Sequence, residues 1–149
     1  MKRQARIKRL DDIWFEFLVA STATRLLEER LSQEPSFGDG DGWRSRDAIR
    51  WRKNLEPTFV IRIYADFEES LRDAWKYQFR QVTQPPMKDL LVAIAARATM
   101  PDLWLEEMNL VRDYRNSLIH SGKEGLAVVT LEQARSRMAR FLSRLALDW

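Results

Sequence analysis

"FVIRIYADFEESLRDAWKYQF" occupies residues 59–79, and within it Phe59, Ile63, Phe67, Leu71, Trp75 and Phe79 recur at every fourth position. A helix turns by about 100° per residue, so this repeat draws one apolar stripe along one side of a helix. Large side chains fill the stripe, and the segment reads as the most buried helix of the chain.

Helical spacing continues outward in both directions. Upstream, Pro57 is read as resetting the chain and separating this helix from a short one that starts at a Ser45 cap and runs through Asn54. The stretch SQEPSFGDGDG, residues 32–42, carries one proline and three glycines and reads as a loop. From residue 2 to about 31, Ile7, Leu10, Trp14, Phe17, Ser21, Leu27 and Leu31 fall three or four apart on a long first helix. Downstream, TQPP stops the buried helix. A modest helix spans Met87 to about Ala98, and Pro101 suits the first turn of another that runs from Leu103 to about Leu118. Thr130 and Gln133 in "TLEQ" form a capping box that opens the last helix, 130 to about 147, with Met138, Phe141, Leu142 and Leu145 on its apolar side. The only hint of a strand is the short run 126–129. These elements predict an all-α, up-and-down four-helix bundle with one or two short extra helices, forming one domain over residues 1–149.

Composition agrees with one soluble core. A chain of 149 residues can bury enough apolar surface without staples. With 45% hydrophobic and 32% charged residues it is too apolar for a disordered tail and too charged for a membrane protein. The longest uncharged apolar run, residues 90–96, falls far short of the roughly 20 residues that span a bilayer. Asp11, Asp12 and Glu16 interrupt the apolar stretch after the basic start, so no signal-peptide core forms, and the absence of cysteine fits a reducing cytoplasm. One histidine and no cysteine exclude the metal-cluster and cysteine-nucleophile hydrolases.

Net charge is +3, unevenly spread. Lys2, Arg3, Arg6, Lys8 and Arg9 crowd the start; Arg44, Arg46, Arg50, Arg52 and Lys53 form a second group around Trp43 and Trp51. Such groups either contact a polyanion or form solvated helix faces. The two tryptophans either stack unpaired bases or dock on the bundle, whereas Trp14, Trp75 and Trp104 lie on apolar stripes and read as core. Arg135, Arg137, Arg140 and Arg144 read mainly as a solvated face at the rim of a cleft.

The candidate chemistry lies in "LVRDYRNSLIHSG", residues 110–122. Trp104, Met108, Val111 and Arg115 share one stripe, which places a guanidinium at the rim of the core, where it calls for a partner. If the helix stops near Ile119 and Gly122 supplies a left-handed exit, His120 can swing back toward Arg115. Together these groups suit attack of a ribose 2′-hydroxyl on its own phosphodiester. Imidazole exchanges a proton near neutral pH, and guanidinium meets the charge that builds on the phosphoryl oxygens, with no metal required. Acid and base are both needed, yet the chain has one histidine, so two copies sharing a cleft would supply the pair. Asp113 and Glu107 are candidate auxiliary carboxylates. A purely structural Arg115, paired with Asp66 or Glu69, is the competing reading.

"LVRDYRNSLIHSGK" resembles the signature of the HEPN (higher eukaryotes and prokaryotes nucleotide-binding) superfamily: arginine, a polar residue, three further residues and histidine at the end of a bundle helix. "VIRIYADFEESLRDAW" and "VTLEQARSRMARFLSRL" resemble its flanking helices, so the likeness spans residues 58–149. The resemblance implies a cofactor-free, metal-independent endoribonuclease that leaves 2′,3′-cyclic phosphate ends, catalysed by Arg115 and His120 with Asn116 orienting the histidine or binding phosphate. It also implies a homodimer with a composite site, RNA as substrate, and a toxin or defence role restrained by an antitoxin or other inhibitor protein. Gly122 stands where some relatives carry a tyrosine modified by their antitoxin, so that form of control is not expected. The alternative is a catalytically silent helical module that binds RNA or a protein.

Overall fold

The computed structural model describes residues 2–120 and 126–147. Within them run five α-helices: α1 (Arg3–Gln33), α2 (Ser45–Asp73), α3 (Met87–Arg97), α4 (Asp102–Ile119) and α5 (Leu131–Ser143). A 3-10 turn, Asp39–Asp41, lies in the glycine-rich loop, and a wider π turn, Ala74–Gln78, extends α2. No strand occurs among the described residues; residues 126–129 have no partner segment to pair with and are irregular, although Val129 is buried.

Side-chain pairs fix the register. Arg6 meets Asp73, Arg62 meets Glu16 and Arg52 meets Glu28, so α1 and α2 run antiparallel along nearly their whole length. Arg135 of α5 reaches Asp11 at 2.6 Å and the Arg3 amide donates to the Leu147 carbonyl at 2.8 Å, which sets α5 antiparallel to α1. The start of α5 lies beside the middle of α2, where the Leu131 amide donates to Glu56 Oε1 at 2.8 Å. The Thr130–Gln133 capping box forms as the sequence predicts.

The core gathers Leu10 and Ile13 of α1, Val60, Ile63, Tyr64, Phe67 and Leu71 of α2, Met108 and Val111 of α4, and Met138, Phe141 and Leu142 of α5. Phe67 meets Phe141 edge-on with ring centroids 5.8 Å apart, a preferred aromatic geometry. The stripe read from residues 59–79 is buried from Ile63 to Trp75; Phe59 and Phe79 at its ends are half-buried.

Pro57 does not reset the chain. The separate short helix expected over residues 45–54 is the first third of α2, which passes through the proline unbroken. Proline in a helix interior costs about 3 kcal/mol, but Leu55 and Val60 are buried on either side of it, and each such side chain contributes about 1.5–3 kcal/mol on burial. Thr58 Oγ1 also donates to the Asn54 carbonyl at 2.7 Å across the proline turn.

The outer third of the α1–α2 hairpin has its own small interior, Thr24, Leu31, Ala48 and Leu55, separate from the main core. Its connecting loop closes tightly. A side chain at Gly38 would meet the Trp43 indole at 2.5 Å, and Gly42 takes a left-handed conformation at φ 79.

Candidate active site at the end of α4

Helix α4 is amphipathic, with Met108 and Val111 buried against the core, and one turn beyond Val111 the same face carries Arg115. Its guanidinium carbon lies 5.4 Å from the centroid of the Tyr64 ring, a cation–π contact made over a buried tyrosine. Arg115 Nη1 donates to Asn116 Oδ1 at 3.0 Å, and Nε is buried without a hydrogen-bond partner among the described residues.

Asp66 and Glu69, the carboxylates considered as structural partners for Arg115, are engaged elsewhere. Asp66 meets Arg9 at 2.9 Å, and Glu69 lies 3.6 Å from Arg6 and 3.7 Å from Arg9. Glu107 is paired with Arg140, and Asp113 holds Arg112 at 2.8 Å. Among the described residues no carboxylate forms an ion pair with Arg115. The guanidinium therefore stands at the core rim with an aromatic surface beneath it and, among the described residues, no ion-paired carboxylate.

The helix ends at Ile119, close to where the sequence reading placed its end. His120 is the C-cap in extended conformation (φ −110, ψ 109), and its amide donates to the Asn116 carbonyl at 2.9 Å. Asn116 thus touches both candidate groups, through its side chain to Arg115 and its backbone to His120. His120 is exposed, and its imidazole makes no hydrogen bond among the described residues. Gly122, expected to provide the left-handed exit, lies outside the described residues.

Tyr64 is the neighbour that sequence reasoning missed. It falls one residue off the every-fourth-residue stripe, and the signal for it is the second series Val60, Tyr64, Phe67 and Leu71, spaced four, three and four. Burial pushes its phenol pKa well above the ordinary value, with Glu68 adding to the shift, so it stays neutral beneath the guanidinium. Burial likewise raises the phenol pKa of Tyr114, with Glu56 contributing.

Some arginines of the first and last basic groups, read from the sequence as open faces, are held within the bundle. Arg6 is buried against Asp73 and Glu69, and Arg3 Nη1 donates to the carbonyls of Ser143 and Leu145 at the end of α5. Arg135 lies over Trp14 and Arg140 over Trp104, each also ion-paired. Trp75 is buried, and Trp14 and Trp104 are half-buried against the core. No described helix is long and apolar enough to cross a membrane.

In comparisons with known proteins, the chain matches no family model, no curated protein and no solved structure.

Proposed function

We propose that this chain is a metal-independent endoribonuclease of HEPN type, and that Arg115, Asn116 and His120 carry its chemistry. The observation supporting this reading most directly is that the Arg115 guanidinium forms no ion pair among the described residues. A structural arginine at a core rim would be expected to hold a carboxylate, yet Asp66 and Glu69 are committed to Arg9 and Arg6 and leave it facing Tyr64 and Asn116.

In the proposed reaction a ribose 2′-oxygen attacks the adjacent phosphorus, and the 5′-oxygen of the next nucleotide leaves, giving a 2′,3′-cyclic phosphate and a 5′-hydroxyl. One imidazole takes the 2′-hydroxyl proton and a second donates to the leaving oxygen. The guanidinium binds the phosphoryl oxygens, where charge accumulates, with paired donors. Asn116 orients the guanidinium through Oδ1 and fixes the start of the His120 backbone through its carbonyl. Each protomer has one imidazole, so the complete site is shared by two copies related by a two-fold axis, with their α4 ends facing one another. A toxin or defence role restrained by an inhibitor protein is part of the same proposal.

A specific observation keeps the silent binding module as a second reading: His120 is exposed and its imidazole makes no hydrogen bond among the described residues. Incubation with labelled RNA in EDTA separates the two. The nuclease cuts and leaves cyclic phosphate ends, while His120→Ala and Arg115→Ala each lower the rate by about 10²–10⁴-fold. Intact RNA in all three samples rejects the nuclease.

A further inference from the structure

The cations of α1 and those at the start of α2 meet different fates. Arg6, Lys8, Arg9, Arg25 and Arg30 of α1 each meet a carboxylate. Of the five basic residues between 44 and 53, only Arg52 does, through Glu28. Arg46, Arg50 and Lys53 are exposed, form no ion pair among the described residues, and fall on one face of α2 at spacings of four and three. Their positions rise over only about 10 Å along the helix axis. Like charges so close repel one another, a cost that a bound polyanion would offset.

Two tryptophans flank this row. Trp43 and Trp51 line a shallow apolar depression with Leu27, Asp47 and Ala48. Trp43 is held edge-on to Phe37, with centroids 6.2 Å apart, and Trp51 Nε1 donates to Thr24 Oγ1 at 3.1 Å. Both indoles are thereby held in place, while Trp51 keeps half of its surface in water. Trp51 follows Arg50 and so lies about 100° around α2 from it, which puts the indoles on the face next to the cation row and not on the row itself. A held aromatic surface within reach of such a row can stack unpaired bases while the cations meet their phosphates.

Helical phase links the row to the site. Arg46 and Tyr64 are eighteen residues apart, about five full turns, so they lie on the same side of the unbroken α2, and Lys53 departs from that line by only about 20°. Tyr64 is the residue on which Arg115 rests. Because Arg115 of α4 rests on Tyr64 and the start of α5 is tied to Glu56, the C-terminal part of α4 lies beside the middle of α2.

We propose that Arg46, Arg50 and Lys53, with Trp43 and Trp51, form a track on the hairpin tip that binds single-stranded RNA and points it toward the Arg115–His120 site, over the elements that cover Val60 and Tyr64 on the same side of α2. The choice of RNA over DNA rests on the nuclease reading; the track itself rests on the unpaired cations and held indoles.

The test measures binding of a fluorescent 12-nucleotide single-stranded RNA to full-length His120→Ala protein, which cannot consume it, across a salt series. Adding Arg46→Gln, Arg50→Gln and Lys53→Gln together is expected to weaken binding at least about tenfold and flatten the log–log salt slope by about 2, since each single-strand phosphate contact contributes about 0.7. Trp51→Ala is expected to weaken binding about tenfold with little change in slope. Lys76→Gln with Lys88→Gln, exposed cations elsewhere, should leave binding unchanged. These glutamine variants alter only exposed side chains, so the fold is retained and circular dichroism verifies it. Binding of the triple variant within twofold of its parent overturns the track. Equal affinity for duplex RNA overturns the stacking half of it. If wild-type protein fails to cut RNA yet the triple variant still loses RNA binding, the nuclease falls and the track stands; the opposite pair of results removes the track alone.

Discussion

Tyr64 and Arg6 show how single buried polar groups shape this molecule. The Tyr64 hydroxyl is buried with no hydrogen-bond partner among the described residues, and burial holds its pKa above that of an unfolded tyrosine. Above about pH 10 the unfolded chain releases this proton while the folded chain keeps it, so stability falls as pH rises through that range. Tyr64→Phe should therefore unfold less readily at alkaline pH and, relieved of an unpaired hydroxyl, be about 1 kcal/mol more stable at neutral pH. Urea denaturation at pH 7 and pH 10.5 checks both. Arg6 is 3% exposed and bound to Asp73 and Glu69; Arg6→Ala loses the ion pairs and the packing of the buried stem and should cost about 2–4 kcal/mol, whereas Arg6→Met keeps most of the packing and should cost less. Thermal unfolding of the two variants side by side is the measurement.

Helices α2 and α5 carry the consequences at the next level. The Thr130 hydroxyl accepts from the Gln133 amide at 3.2 Å, so Thr130→Ala should cost about 1 kcal/mol in denaturant unfolding. In α2, Pro57→Ala restores a backbone donor without disturbing a break, because no break is present, and should stabilise the protein by about 1–3 kcal/mol. The same proline marks the limit of what local reading could provide. The stripes on α1, α2 and α5 and the capping box were legible because each depends on residues within one or two turns. Continuity across Pro57 was not, because burial of Leu55 and Val60 by other helices decides it. At the site, the sequence located the helix end at Ile119 and the position of Arg115 on the apolar face. It could not show that Asp66 and Glu69 are taken by Arg9 and Arg6, nor that Tyr64 underlies the guanidinium, since these contacts join residues far apart in the chain. Nor could local charge density tell the structural arginines near the first residues from the unpaired ones near residue 50.

For the assembled molecule, the proposed sharing of one site by two copies has a measurable signature. When wild-type and His120→Ala chains are mixed in equal amounts and allowed to exchange, a site needing both imidazoles is complete only in wild-type pairs. Activity should fall to about a quarter of the undiluted wild type, whereas chains that act singly would retain about half. Solution mass across the same concentration range should give the dimer.

Because α2 is one uninterrupted rod from Arg46 to Tyr64, these two points are separated by a set span of about 27 Å at 1.5 Å per residue. A strand gripped at the far end by the proposed track would reach the proposed site after a constant number of nucleotides, so cleavage there would fall at a fixed offset from the grip, as on a ruler. A hinge at position 57 would leave that offset blurred.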